Sequence, residues 1–311
     1  MPLLGTDEAG FGPNLGPLVI VATAWDTTAA DSDALRDLLV DVASSSPDQV
    51  RLHLADSKAV HVTGKPLASS PLARAARGIL AAAGVSGTSL RETITALDIE
   101  QADPIAGVPW FERDSDDTPP PEDSGPAAFA TTIRRLGIGV RVAADVIPAA
   151  AYNDLLDQYG SKGQLLSRRT LRLLRRLWTP GDDATIVCDK HGGRDKYGPL
   201  LQECVLDMEP SAGSLFGPAV ETLAEGRLRS QYRIGRSHLT FEQKAEAHVQ
   251  VACASIIAKW LRERTVDAFN AYWTRHQPDL KPTRGYPNDA VRWRNELRDC
   301  EIDERTLWRR K

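Results

Sequence analysis

The sequence predicts an α/β chain built on a mixed sheet, and three observations carry that reading. Residues 3–8 and 18–23 are short apolar runs, the second rich in β-branched residues, and Gly10-Phe11-Gly12-Pro13-Asn14 between them is dense in turn formers. Two strands joined in this way form an antiparallel pair. Two later strand-like runs, 139–147 and 184–188, flank a stretch with helical spacing. Residues 245–273 repeat Val249, Cys253, Ile256 and Trp260 at helical intervals, which makes them the longest helix. An order of strands, helices, strand, helix, strand and long helix packs helices on a mixed sheet.

The remaining elements follow from local composition. Residues 33–43 and the Ala- and Leu-rich 68–83 are helices. Residues 103–126 are acidic, with the run Pro119-Pro120-Pro121, and read as a surface loop inserted into the domain. Residues 153–178 are helical with a break at 160–163, and 230–240 form another strand. Residues 274–311 form an extension that ends in a mixed-charge helical tail, which Trp293, Leu297 and Trp308 can dock on the domain. No repeat or linker divides the chain, so 1–311 is expected to be a single domain.

Composition narrows the function classes. The chain has 311 residues, 42% hydrophobic and 26% charged, which excludes wholesale disorder. Its best apolar run, residues 17–25, is about half of the roughly 20 residues a membrane-spanning helix needs. Met1-Pro2-Leu3-Leu4 carries no basic leader, so a cytoplasmic protein is expected. Cys188, Cys204, Cys253 and Cys300 are scattered and read as reduced thiols rather than a zinc or disulfide framework. With a net charge of −4, any contact with nucleic acid must come from local basic patches.

Four acids stand at the ends of core elements. Asp7 and Glu8 close the first strand, Asp189 closes the strand 184–188, and α/β sheets place their sites at such carboxyl ends. Glu246 opens the long helix, where a carboxylate also complements the helix dipole. Singly, each reads best as a solvated strand end or a helix cap. Together they suggest a site for divalent cations, which prefer oxygen ligands and, in pairs about 3.5–4 Å apart, activate water and stabilise a leaving oxygen.

These residues carry a resemblance. Gly5-Thr6-Asp7-Glu8-Ala9-Gly10-Phe11-Gly12-Pro13, followed by Gly16-Pro17-Leu18-Val19, resembles the opening signature of the type 2 ribonucleases H, the ribonuclease HII and HIII group. Asp56-Ser57-Lys58, Val187-Cys188-Asp189, Lys244-Ala245-Glu246, Ala254-Ser255-Ile256-Ile257-Ala258-Lys259, Arg262-Glu263-Arg264 and Gly285-Tyr286-Pro287 follow in the family's order. The resemblance implies a ribonuclease H-like fold, a five-stranded mixed sheet flanked by helices, here with an insertion at 190–226. It implies an endonuclease that hydrolyses the RNA strand of RNA–DNA hybrids, or cuts DNA at embedded ribonucleotides. The products would bear 3′-hydroxyl and 5′-phosphate ends. Asp7, Glu8, Asp189 and Glu246 would be the catalytic acids and the ligands of two Mg²⁺ or Mn²⁺ ions. Gly10, Phe11 and Gly12 would read the ribose, Lys58 would contact a phosphate, and Tyr286 would stack on the sugar. No membrane is involved, and a monomer is expected. The rival readings are a DNA nuclease on the same fold and a nucleic-acid-binding protein without catalysis.

Two features stand apart from the family pattern. Phe11 replaces the usual arginine, which leaves ribose recognition to the backbone of the turn. Asp289-Ala290-Val291-Arg292 stands where a histidine is common. A further basic surface is expected on the helix 161–178, which contains Arg168, Arg172 and Arg175 on one face and no acid, and would track phosphates. The loop with Lys190, His191, Arg194 and Lys196 is a second candidate for contact with the substrate backbone.

Overall fold

The computed structural model describes residues 1–62, 66–86, 89–98, 100, 103–112, 123–179, 182–206, 219–298 and 301–310. The polyproline run of the acidic insertion, part of the 190–226 insertion and Cys300 lie outside the described residues. The chain opens with strands β1 (Pro2–Ala9) and β2 (Leu18–Asp26), helix α1 (Ser32–Leu38) and the two-residue strands β3 (Ala43–Ser44) and β4 (Leu52–His53). Helices α2 (Ser57–Val60), α3 (Pro71–Ala82), α4 (Leu90–Leu97) and α5 (Gly125–Arg135) precede strand β5 (Gly139–Ile147). Helices α6 (Ala149–Tyr159) and α7 (Lys162–Leu177), strand β6 (Thr185–Asp189) and helix α8 (Gly198–Leu206) follow. Strands β7 (Val220–Ala224), β8 (Arg229–Ile234) and β9 (Ser237–Glu242) lead into the long helix α9 (Val249–His276), then α10 (Pro287–Glu296) and α11 (Glu304–Leu307).

The fold is mixed α/β, as the sequence predicts, but the main sheet has seven strands among the described residues, not five, in the order β5-β2-β1-β6-β9-β8-β7. The run 230–240 is two strands rather than one. It turns back at Gly235-Arg236, so that β8 pairs antiparallel with β9, and β7 adds an outer edge. Gly235 has a positive φ of 59°, which suits a two-residue hairpin turn. The β1–β2 and β2–β5 pairs are antiparallel, whereas β1–β6 and β6–β9 are parallel. The break between α6 and α7 falls at Gly160 and Ser161, whose hydroxyl caps α7 by accepting from Gln164 N.

Each face of the sheet buries its own core. One contains Val19, Val21, Trp25, α3, α9 and the docked tail residue Trp293. The other contains Leu4, Ile20, the leucines of α7 and the aromatic group Tyr197, Tyr232 and Phe241. The described part of the expected surface loop 103–126 is not peripheral. Ile105, Val108, Trp110 and Phe111 are buried in the first core, and Trp110 meets Phe269 edge-on at 5.1 Å. The acids and prolines around them masked that apolar content in the sequence. No helix among the described residues is long and apolar enough to cross a membrane.

One close approach positions the rest. A Cβ on Gly5 of β1 would stand 2.4 Å from the Gln250 carbonyl carbon and 2.5 Å from Val251 N, so only glycine lets α9 press its first turn onto the strand. The Gln250 carbonyl is tied from the other side by Thr23 Oγ1 at 2.8 Å. Because side chains alternate along a strand, Asp7 faces the same helix two residues further on. Gly5→Ala is expected to cost about 1–3 kcal/mol by overpacking a backbone contact. Denaturant unfolding measures it, and an unchanged midpoint would show that α9 is free to shift.

Candidate active site

The parallel pairing of β1 with β6 sets the first three acids. Thr6 lies opposite Cys188, so the next residues, Asp7 and Asp189, stand side by side towards the same end of adjacent strands, with Asp7 still paired to Val21 of β2. Glu8 follows Asp7. Asp189 pairs in register with Glu242 of β9, and the chain then turns through Lys244 and a short 3₁₀ segment to Glu246 before α9 begins. Lys244 is the only non-glycine residue with positive φ among the described residues, at 61°. A non-glycine residue in the left-handed region is an unfavourable conformation of the kind that clusters at functional sites.

The four acids feel one another. Burial pushes the Asp7 carboxyl up to about 8, and the charges of Asp189 and Glu246 add to the rise. Glu8 is raised well above the ordinary carboxylate range by burial and by the charges of Asp7, Asp189 and Glu246. Asp189 is raised to about 6 by burial and then by Glu246, against the pull of the Ala245 and Lys190 amides and of Lys58. Among the described residues, no group of three or more His, Cys, Asp or Glu side chains closes into a metal-binding cage. The four side chains offer oxygen donors only, the kind that divalent cations prefer.

Two hydroxyls to which the sequence motifs assign no role support Asp7. The Ser255 hydroxyl hydrogen-bonds the Asp7 carboxyl, and it lies 2.9 Å from the Ser57 hydroxyl. This links the first acid to α9 and to Asp56-Ser57-Lys58. Asp56 caps α2 by accepting from Lys58 N, which leaves the Lys58 side chain exposed. An open groove of about 600 Å³ is lined by Asp189, Glu246, Asp56, Lys58, Lys244 and Arg36 among others.

The glycine turn and the tyrosine turn are joined. The amides of Asn14 and Leu15 donate to the Gly285 carbonyl at 2.8 and 3.3 Å. Tyr286, beside it, is 53% exposed and so free to meet a ligand. Gly10 has φ of 87°, and a Cβ there would lie 2.6 Å from the Pro17 carbonyl, so only glycine fits, while Gly12 faces open space. The Phe11 ring is half-buried on the second core and stands beside Gly192. Asp289 accepts from Thr283 Oγ1 at 2.6 Å and Arg284 N at 2.8 Å, and pairs with Arg292, so the residue in the histidine's place braces the tyrosine turn.

The basic surfaces differ from expectation. The helix 161–178 has no acid of its own, yet acids arrive from elsewhere. Glu203 pairs with Arg168 at 2.7 Å, Glu100 with Arg172 at 2.7 Å, and buried Asp145 with Arg169 at 2.6 Å. Arg168, Arg172 and Arg175 do not line the groove, and neither do Asp7, Glu8 and Tyr286. In the loop after Asp189, Lys190 is buried and donates to the Gly226 carbonyl at 2.6 Å as well as to Asp195. His191 is buried against Tyr197 and Phe241, and burial lowers it to about 3, which leaves it neutral. Both are structural, because partners distant in sequence enclose them.

No protein-family profile and no curated protein matches the chain. Solved structures do. The ribonuclease HII of Archaeoglobus fulgidus, in a complex with PCNA, is similar at 16% identity over 92% of this chain and 81% of that one, with a TM-score of 0.42. The ribonuclease H2 of Pyrococcus horikoshii OT3 is similar at 17% identity over 93% and 82%, with a TM-score of 0.41. Bst-RNase HIII in complex with Mn²⁺ is similar at 18% identity over 99% of this chain and 66% of that one, with a TM-score of 0.39.

The two kinds of arginine on α7 separate experimentally. Arg169→Met leaves Asp145 buried without its partner and is expected to cost about 3–5 kcal/mol. Arg168→Gln and Arg172→Gln, whose ion pairs are exposed, are expected to leave the unfolding midpoint in place. Equal losses for all three would show that the exposed pairs are structural too.

Proposed function

We propose that the chain is a type 2 ribonuclease H-like nuclease that hydrolyses the RNA strand of RNA–DNA hybrids in the presence of Mg²⁺ or Mn²⁺. One observation carries the reading. Burial holds Asp7, Glu8 and Asp189, which resemble three of the family's four acids, above the ordinary carboxylate range, and the charge of Glu246, which resembles the fourth, adds to the rise of each. The order of the sequence motifs supports the same assignment, and so does the junction of the glycine and tyrosine turns.

Asp7, Glu8, Asp189 and Glu246 would hold the cations. When bound, these ions supply Lewis-acid polarisation of the phosphodiester and an activated water. The protein's own part is to place and restrain. Ser255 orients the Asp7 carboxyl. Lys58 and Lys244 at the groove would meet the substrate backbone as point charges. Gly10 and Gly12 would let backbone amides reach a ribose hydroxyl, and Tyr286 would stack on the sugar. Cleavage would leave 3′-hydroxyl and 5′-phosphate ends. We assign the duplex backbone first to the groove lysines, because acids already pair with Arg168 and Arg172, and keep exposed Arg175 of the same face as a further phosphate contact.

Asp7→Asn is expected to abolish cleavage of a hybrid in Mg²⁺ or Mn²⁺ while hybrid binding persists. The assay offers a full hybrid, a duplex with one embedded ribonucleotide, and plain DNA. Near wild-type turnover by the variant removes Asp7 from the chemistry. Cleavage of DNA alone transfers the reading to a DNA nuclease, and cleavage of none of the three leaves a binding protein.

Affinity against salt tests the groove. Replacing Lys58 and Lys244 with Gln is expected to flatten the log–log slope by about 0.9 for each phosphate that the lysines neutralise. Replacing Arg168 and Arg172 is expected to leave the slope unchanged, and the reverse result returns the duplex to α7.

A further inference from the structure

The last described residues reach back to the glycine turn. Arg309 is 1% exposed, and its Nη2 donates to the Gly10 carbonyl at 2.5 Å and to the Pro13 carbonyl. Its backbone amide donates to the Asn14 carbonyl at 2.8 Å, and Asn14 Nδ2 returns a bond to the Arg309 carbonyl at 3.0 Å. Leu15 and Trp308 form an antiparallel bridge. Residues 14 and 15 are therefore clamped between Gly285 on one side and the tail on the other.

The tail is itself anchored. Asn153 of α6 donates to the Trp308 carbonyl at 2.8 Å and accepts from Arg310 N at 2.9 Å, and Arg310 pairs with Asp157 at 2.5 Å. The Arg309 guanidinium lies over the Tyr152 ring at 4.8 Å.

The chemistry of this contact is specific. A peptide unit is planar and trans, so its C=O and N–H point in opposite directions. Holding the Gly10 carbonyl inward against Arg309 turns the Phe11 N–H away from the guanidinium. Phe11 itself cannot anchor the turn through a charged side chain, and the guanidinium comes instead from the other end of the chain. Burial and the charge of neighbouring Arg262 pull Arg309 down to about 9, which leaves it protonated at neutral pH.

We propose that Arg309 is a positioning residue for ribose recognition: its guanidinium fixes the inward carbonyls of the glycine turn and so presents the turn's amides to a 2′-hydroxyl. The proposal rests on the nuclease reading for its ligand, but not for the latch itself.

The test uses the full chain with Arg309→Met and Arg309→Lys. Hydrogen exchange reads the latch without substrate. Arg309→Met is expected to speed exchange in residues 9–16 about ten-fold while β6 and the middle of α9 keep their protection. Competition binding in Ca²⁺, between a hybrid and a DNA duplex of the same sequence, reads the ribose contact. Arg309→Met is expected to reduce the preference for hybrid about ten-fold with an unchanged salt slope, and lysine to recover part of it.

A merely structural role would weaken both duplexes equally. If Arg309→Met does not fold, Arg309→Lys decides, because lysine keeps the charge but loses the planar guanidinium that aims Nη2 at both carbonyls. Wild-type exchange and preference in that variant overturn the proposal. A wild type that prefers hybrid, with a folded Arg309→Met that keeps the preference, overturns this inference alone. A wild type that neither prefers nor cuts hybrid overturns the ribose role together with the nuclease reading, and exchange in 9–16 still confirms or refutes the latch.

Discussion

The parallel register of β1 against β6 is the constraint on which the acidic site depends. Parallel neighbours end at the same edge, so the residues after Thr6 and Cys188 emerge side by side. Had β6 run antiparallel, Asp189 would have left the sheet at the far end. The second parallel pair, β6 with β9, extends the logic by delivering the chain to Glu246 at the same edge. Glycine at position 5 then lets α9 lie against β1, which brings the Ser255 hydroxyl to the Asp7 carboxyl. Strand direction places the charges, and one missing Cβ places their support.

Such an arrangement works against itself electrostatically. Burial and like charge both disfavour ionisation, and Lys58 is the cation that lowers Glu8 and Asp189. The carboxylates stand apart rather than in a closed cage, as uncompensated charges do. The same principle operates with opposite outcome at Asp145, where Arg169 occupies the carboxylate directly and leaves no room for a ligand. Asp145 has its guanidinium directly across it, whereas the cation that acts on Glu8 and Asp189 is the exposed Lys58.

Much of this was legible in the sequence where the signal is local. The hairpin of β1 and β2, the strand 139–147 and the break between α6 and α7 follow from periodicity and turn formers. Asp7, Glu8 and Asp189 stood out because each lies at the end of a short apolar run, and Glu246 because it stands at the start of the long helical stretch. What escaped was set by partners distant in sequence. The arginines of α7 looked unpaired because Glu100, Asp145 and Glu203 lie on other segments. Lys190 and His191 looked mobile in a glycine loop, although β8 and the aromatic group around Phe241 enclose them. Trp110 was hidden among acids and prolines. Arg309 sits in a mixed-charge tail whose composition suggests fraying, and nothing within it announces Gly10.

The two arginines beneath the glycine turn are the least economical feature of the fold. Arg262 and Arg309 are only 3% and 1% exposed, and neither has a carboxylate in direct contact. Arg262 Nη1, Arg309 Nε and Arg309 Nη1 find no hydrogen-bond partner among the described residues. Burying a charged group with unsatisfied donors is destabilising, and apolar residues of similar volume would hold a loop in place at lower cost. An apolar plug, however, leaves the direction of each carbonyl open. A guanidinium that takes two carbonyls at once determines the orientation of two peptide units, including the one whose N–H belongs to Phe11. Proteins depart from local rules of this kind mainly at functional sites. The departure here lies two residues from Glu8, between the acids and the exposed Tyr286, where the orientation of backbone amides has a chemical consequence and a simple packing contact would not suffice.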